Sequence, residues 1–114
     1  MTKIFGIKNC DTMKKTFAWF EANGLAYTFV DYKKAGVVAT ELPVWLNGVA
    51  WEVLLNRKGL TWKKLSEDER ADINQAKAIE LMIAHPTLIK RPVVAVGEQL
   101  LVGFDPDAFA RAHA

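Results

Sequence analysis

The chain has 114 residues, 51% of them hydrophobic and 25% charged, which suits one domain with a core that needs no disulfide or metal staple. Its formal net charge of +2 gives no bulk support to nucleic-acid or membrane binding. A single cysteine excludes an intramolecular disulfide, and with no apolar leader in "MTKIFGIKNCD" and no run near the roughly 20 residues of a membrane span, a reducing, cytoplasmic location is expected.

"KIFGI" has the apolar and β-branched content of a short buried strand. Residues 9–12 then serve as turn and N-cap for a helix carrying Met13, Phe17 and Phe20 on one face, with Trp19 beside them. Gly24 ends that helix, because glycine tolerates the left-handed conformation of a C-terminal cap. "AYTFVDY" alternates and is rich in aromatic and β-branched residues, so it reads as a second strand. A helical crossover between the two strands predicts that they pair in parallel.

The middle of the chain changes character. Thr40 is expected to cap a helix with Pro43 in its first turn and Leu42, Trp45, Leu46 and Val49 at helical spacing. "AWEVLLN" reads as a short helix stopped near Gly59, and "SEDE" from Ser66 matches a capping box. A longer helix is expected from Asn74 to His85, with Ala76, Ile79, Met82 and Ile83 on its apolar face and Pro86 as its stop. The tail returns to strands: "PVVAV" and "LLVGF" form a hairpin about "GEQ", and "DPDAFARA" opens a last helix with Asp105 as N-cap and Pro106 in the first turn. The order is β-α-β, a helical block at about 39–86, then β-β-α. The block is too short for a core of its own, so one domain over 1–114 is expected, with the block as an insertion.

Cys10 stands where the first strand hands over to the first helix. Unpaired N–H groups and the helix dipole favour a thiolate there, and Lys8, Lys14 and Lys15 add positive charge. Asp11 opposes this unless its carboxylate turns away to cap the helix. On balance the thiol is expected below the free-cysteine value of about 8.5. Inert burial is the commoner fate of a lone cysteine, but the strand-to-helix position argues for chemistry. Redox motifs often place a second cysteine three residues on; here that residue is Met13, so the site is monothiol and an oxidised Cys10 needs a thiol from elsewhere, with glutathione the obvious one.

A second informative stretch is "HPTLIKRPVV", where Arg91 precedes Pro92 at the start of a strand. With an N-terminal cysteine and this element order, the chain resembles the thioredoxin superfamily, and the resemblance implies a cis Pro92 facing the reactive sulfur. It narrows further. "FGIKNCDTMKK", "LLNRKGLTWKKL", "HPTLIKRPVV" and "LLVGF", in that order and across almost the whole chain, resemble the arsenate reductase (ArsC)/Spx-like family, and within it the YffB-type thiol reductases.

The resemblance implies a thioredoxin-like α/β fold with an all-helical insertion, and a cytosolic oxidoreductase working with glutathione or glutaredoxin. Carried over by position, Cys10 is the nucleophile, Arg91 holds an anion near the sulfur, and Asn9, Thr12 and Lys14 support the cysteine. Family members usually read Asn-Thr-Arg-Gly where this chain has Asn56, Arg57, Lys58 and Gly59. Lys58 takes the arginine's column with Arg57 beside it, so the resemblance implies that one of these two, with Arg91 and beside Pro92, binds a carboxylate or other anion of glutathione, although a lysine lacks the bidentate fork. Arsenate reductases carry a histidine shortly before the cysteine, where this chain has "GIKN", and a third arginine near the last strand, where it has "VGFDP". An oxyanion site with fewer donors should hold arsenate less well.

The expected function is thus a glutathione-dependent thiol-disulfide reductase with no tightly bound cofactor, glutathione as co-substrate, and glutaredoxin or protein disulfides as further partners. Arsenate reduction is the rival activity. An Spx-like module that binds RNA polymerase without catalysis is the rival from another class; there Met13 removes the usual cysteine pair. His85 and His113 carry no evident chemistry, no spacing suggests a metal site, and Trp19, Trp45, Trp51 and Trp62 read as packing residues.

Overall fold

Thr2, Ile4 and Gly6 share one face of the opening strand, and Lys3 and Phe5 share the other, as the two-residue repeat of extended chain requires. In the computed structural model, which describes residues 1–114, this segment is β1 (Thr2–Gly6). The next element, α1 (Asp11–Ala22), starts directly after Cys10 and buries Met13, Thr16 and Phe20. It ends in a Schellman motif: Gly24, at φ 64, donates to the Glu21 carbonyl at 3.1 Å, and Leu25 donates to Phe20 at 3.0 Å. The second strand, β2 (Thr28–Asp31), is shorter than its apolar pattern suggested. β3 (Val93–Val96) and β4 (Gln99–Val102) form the expected hairpin about Gly97, at φ 57. The last helix, α7 (Pro106–Ala112), is capped by Asp105, whose Oδ1 accepts from the Ala108 amide at 3.2 Å.

The four strands form one sheet in the order β2-β1-β3-β4. β1 pairs in parallel with β2, Ile4 opposite Phe29, and antiparallel with β3, Ile4 opposite Val94. β3 and β4 are antiparallel, with Val94 opposite Leu101. This is the thioredoxin-like arrangement expected from the element order. Residues 1–34 and 91–114 form one compact unit. Its core joins Ile4 and Val94 of the sheet to Met13 and Phe20 of α1 and Phe109 of α7. Phe20 and Phe109 meet with ring centroids 5.4 Å apart, so α1 and α7 cover the same face. Gly6 lies directly under α1: a Cβ there would overlap the Met13 thioether.

Residues 35–90 form a second unit with five helices, α2 (Val37–Trp45), α3 (Trp51–Leu54), α4 (Leu60–Lys64), α5 (Glu67–Arg70) and α6 (Gln75–Ala84), and a 3-10 turn at Pro86–Leu88. Three expectations are corrected here. Thr40 lies inside α2, which begins a turn earlier after Gly36 and carries Pro43 in its interior. Burial of Val38 with Leu42 and Trp45 draws the extra turn into the helix, and Pro43 is exposed, so water can reach the backbone carbonyl that its ring leaves without a partner. The short helix expected to stop near Gly59 ends at Leu54, and Gly59 is instead the N-cap of α4. In α6 the buried side chains are Ala78, Leu81 and Met82, whereas Ala76 and Ile83 are exposed. Two overlapping apolar stripes run along this helix, and packing on α2 and α3 chooses between them. The capping box is present: Ser66 and Glu69 exchange hydrogen bonds at 2.9 and 3.1 Å. No helix is long and apolar enough to cross a membrane.

Candidate active site

Parallel pairing of β1 and β2 puts their C-terminal ends at one edge of the sheet, and antiparallel pairing brings the N-terminal end of β3 to the same edge. Cys10, Tyr32 and Arg91 each follow or precede one of these ends, so the topology gathers them although they are far apart in sequence. Cys10 is itself the N-cap of α1, with extended φ and ψ of −137° and 132°, and its carbonyl accepts the first helical hydrogen bond from Lys14 at 2.9 Å. The thiol is half-buried.

Arg91 reaches the sulfur from the loop before β3: its Nε donates to Cys10 Sγ at 3.4 Å, and its Nη1 donates to the Tyr32 hydroxyl at 3.2 Å. The Arg91–Pro92 peptide is cis, and the Pro92 carbonyl accepts from the Gly103 amide at 2.8 Å. Partial burial pushes the Cys10 thiol up. The Arg91 hydrogen bond, then the Met13 and Thr12 amides, then the Arg91 charge outweigh that and leave the thiol below its ordinary value. No cap hydrogen bond closes on the sulfur, so the two amides act through their dipoles. Burial works against the Arg91 charge, but its bonds to Tyr32 and Cys10 outweigh that and raise the guanidinium above its ordinary value.

The residues picked out from sequence divide as follows. Cys10, Thr12, Arg91 and Pro92 come together in the first unit. Thr12 also accepts, at its carbonyl, the hydroxyl of buried Thr16 at 2.8 Å. Asn9 and Lys14 are exposed beside the cysteine, as are Lys8 and Lys15; the cation at the sulfur is Arg91. Arg57 and Lys58 belong to the second unit. There the Arg57 guanidinium lies over the rings of Trp51 and Trp62, 5.6 and 5.5 Å from their centroids, and the Lys58 amide donates to Asn56 Oδ1 at 3.0 Å. Tyr32 was missed. In "VDYKK" it reads as one more alternating strand residue, and nothing local marks its hydroxyl. No group of three or more His, Cys, Asp or Glu side chains is placed to hold a metal ion.

The model of the ArsC family matches residues 5–112. An uncharacterised protein of Haemophilus influenzae is 32% identical over 114 residues, covering 100% of both chains. The solved structure of a YFFB protein matches with a TM-score of 0.93 and 48% identity, over 100% of each chain. That of an arsenate reductase (ArsC) related protein from Brucella melitensis matches with a TM-score of 0.78 and 50% identity, over 96% of this chain and 92% of the other.

Proposed function

Because this chain belongs to the ArsC family, we propose that it is a glutathione-dependent thiol-disulfide reductase working through mixed disulfides on Cys10. The observation that carries this reading is the Arg91 Nε donor 3.4 Å from a sulfur at a helix N-terminus. The Cys10 thiolate attacks one sulfur of a substrate disulfide. A bond from Sγ to that sulfur forms as the substrate S–S bond breaks, and the other sulfur leaves as a thiolate. Position 13 is methionine, so resolution falls to glutathione. Its thiolate attacks the substrate sulfur of the mixed disulfide and Cys10 leaves as a thiolate. A second glutathione reduces the resulting glutathione-substrate disulfide. The net change is one disulfide reduced to two thiols and two glutathiones oxidised to one glutathione disulfide. Arg91 favours both halves, because a stabilised thiolate is more populated as attacker and departs faster as leaving group.

Protein disulfides and glutaredoxin are the further partners of this reading, no tightly bound cofactor enters it, and a reducing cytoplasm suits it. Intact mass spectrometry after incubation with glutathione disulfide tests it. One glutathione should attach to the wild type, none to Cys10→Ser, and reduced glutathione should remove it. Absence of the adduct on the wild type would overturn the proposal.

Arsenate reduction is the second reading. It is favoured by the likeness to the arsenate reductase (ArsC) related protein of Brucella melitensis and by a guanidinium at the sulfur. The chain has no histidine in "GIKN" and no arginine in "VGFDP", so weak arsenate turnover is expected beside clear disulfide turnover. Robust Cys10-dependent arsenate reduction would reverse the order. Inactivity on both substrates would favour the module that binds RNA polymerase.

A further inference from the structure

Tyr32 is fully buried, yet it ends in a polar atom. Its backbone is pinned at the edge of the sheet, where its amide donates to the Gly6 carbonyl at 3.0 Å and extends the β1–β2 ladder by one residue. The side chain thus starts from a rigid point, with a two-torsion ring that has little freedom once packed. Its hydroxyl receives Arg91 Nη1 at 3.2 Å while Nε of the same guanidinium meets the Cys10 sulfur at 3.4 Å.

A guanidinium is planar, and its donors stand in a fixed fork. Fixing Nη1 therefore removes most of the rotation by which Nε could swing off the sulfur. We propose that Tyr32 is a positioning residue for the reaction: its buried hydroxyl holds the Arg91 plane so that Nε stays on the Cys10 sulfur. A phenol suits this task better than a carboxylate. Burial raises the Tyr32 hydroxyl above its ordinary value; Arg91 opposes that, and the charges of Cys10 and Asp31 reinforce it. The group thus stays neutral where the enzyme works, and it orients the guanidinium without competing with the thiolate for its charge.

The inference deepens the reading of Cys10 as the nucleophile and rests on it, but thiol titration and alkylation need no glutathione, so the two can fail separately. Tyr32→Phe removes the hydroxyl and keeps the ring. The fold should survive by circular dichroism, the thiol titration midpoint should rise, and alkylation by iodoacetamide at neutral pH should slow severalfold. Well above both midpoints, alkylation should be no slower than in the wild type. In an Arg91→Ala background the same Tyr32→Phe change should leave the titration unmoved. An unchanged midpoint in folded Tyr32→Phe, or an equal rise with Arg91 absent, would overturn the proposal. A second measurement needs no variant to fold: the Arg91 Nε–H in the nitrogen-15 NMR spectrum of the wild type should exchange slowly with solvent, and rapid exchange there would count against a held guanidinium.

Discussion

At the scale of single residues, the thiol of Cys10 is set by a contest between partial burial and three donors, and the donors win. Its alkylation rate should therefore reach its plateau at a lower pH than that of free cysteine, and a profile coinciding with free cysteine would remove the main support for catalysis. The linkage has a definite sign. A thiol that ionises lower in the folded chain than in the unfolded one stabilises the fold fully above the unfolded value, and loses that contribution as pH falls through the folded value. The stability of wild type relative to Cys10→Ser should thus increase as pH rises through that window, read by urea unfolding at several pH values. Arg91→Ala removes the charge-assisted hydrogen bond to the Cys10 sulfur, worth about 1.5–3 kcal/mol, so kcat/KM for glutathione-dependent turnover should fall roughly tenfold to a hundredfold. Unchanged kinetics would mean that the donor at the sulfur does not serve the reaction.

Elements carry predictions of their own where a named residue ends or packs them. Ser66 closes a capping box on the exposed four-residue helix α5, and Ser66→Ala should cost about 0.5–2 kcal/mol by denaturant unfolding, with the thiol titration unmoved. Gly6 is a different case. Its backbone passes under Met13, which is fully buried, and an added methyl must push that side chain aside. Gly6→Ala should therefore destabilise by about 1–3 kcal/mol, as overpacking does. Because Met13 also presents its amide to the sulfur, the same change should raise the thiol titration midpoint. A Gly6→Ala variant as stable as wild type would mean that α1 can lift off β1 freely. Met13 thus has two separate duties: its side chain fills the core where a second cysteine would otherwise stand, while its backbone serves the first.

For the whole molecule, the strand order β2-β1-β3-β4 makes β1 and β3 central and leaves β2 and β4 at the edges. Amides of β1 and β3 should exchange with deuterium most slowly within the first unit, and edge strands that exchange as slowly as these would contradict the order. The chain's two ends also meet. His113 lies 2.7 Å from the Phe109 carbonyl through Nδ1, and Thr2 Oγ1 lies 2.9 Å from Nε2. A carbonyl only accepts, so Nδ1 donates to Phe109, and Nε2 is left to pair with the Thr2 hydroxyl, which can donate or accept. His113→Ala should cost about 0.5–1.5 kcal/mol per bond lost, measured by thermal unfolding. Local chemistry made much of this legible beforehand. Cys10 at a helix start, the Schellman glycine Gly24, the Ser66 and Asp105 caps and the hairpin at Gly97 are written in neighbouring residues, and order alone implied the parallel β1–β2 pair. What neighbours could not decide was anything set by residues distant in the chain. Helical spacing put Ala76 and Ile83 on the apolar face of α6, but packing on α2 and α3 buried Ala78 and Leu81 instead, and α2 gained a turn because Val38 had a core to enter. Tyr32 looked like ordinary strand filling. Only the tertiary structure brings its hydroxyl to Arg91 and Arg91 to Cys10, because a hydrogen bond between residues 32 and 91 leaves no periodicity in the sequence between them.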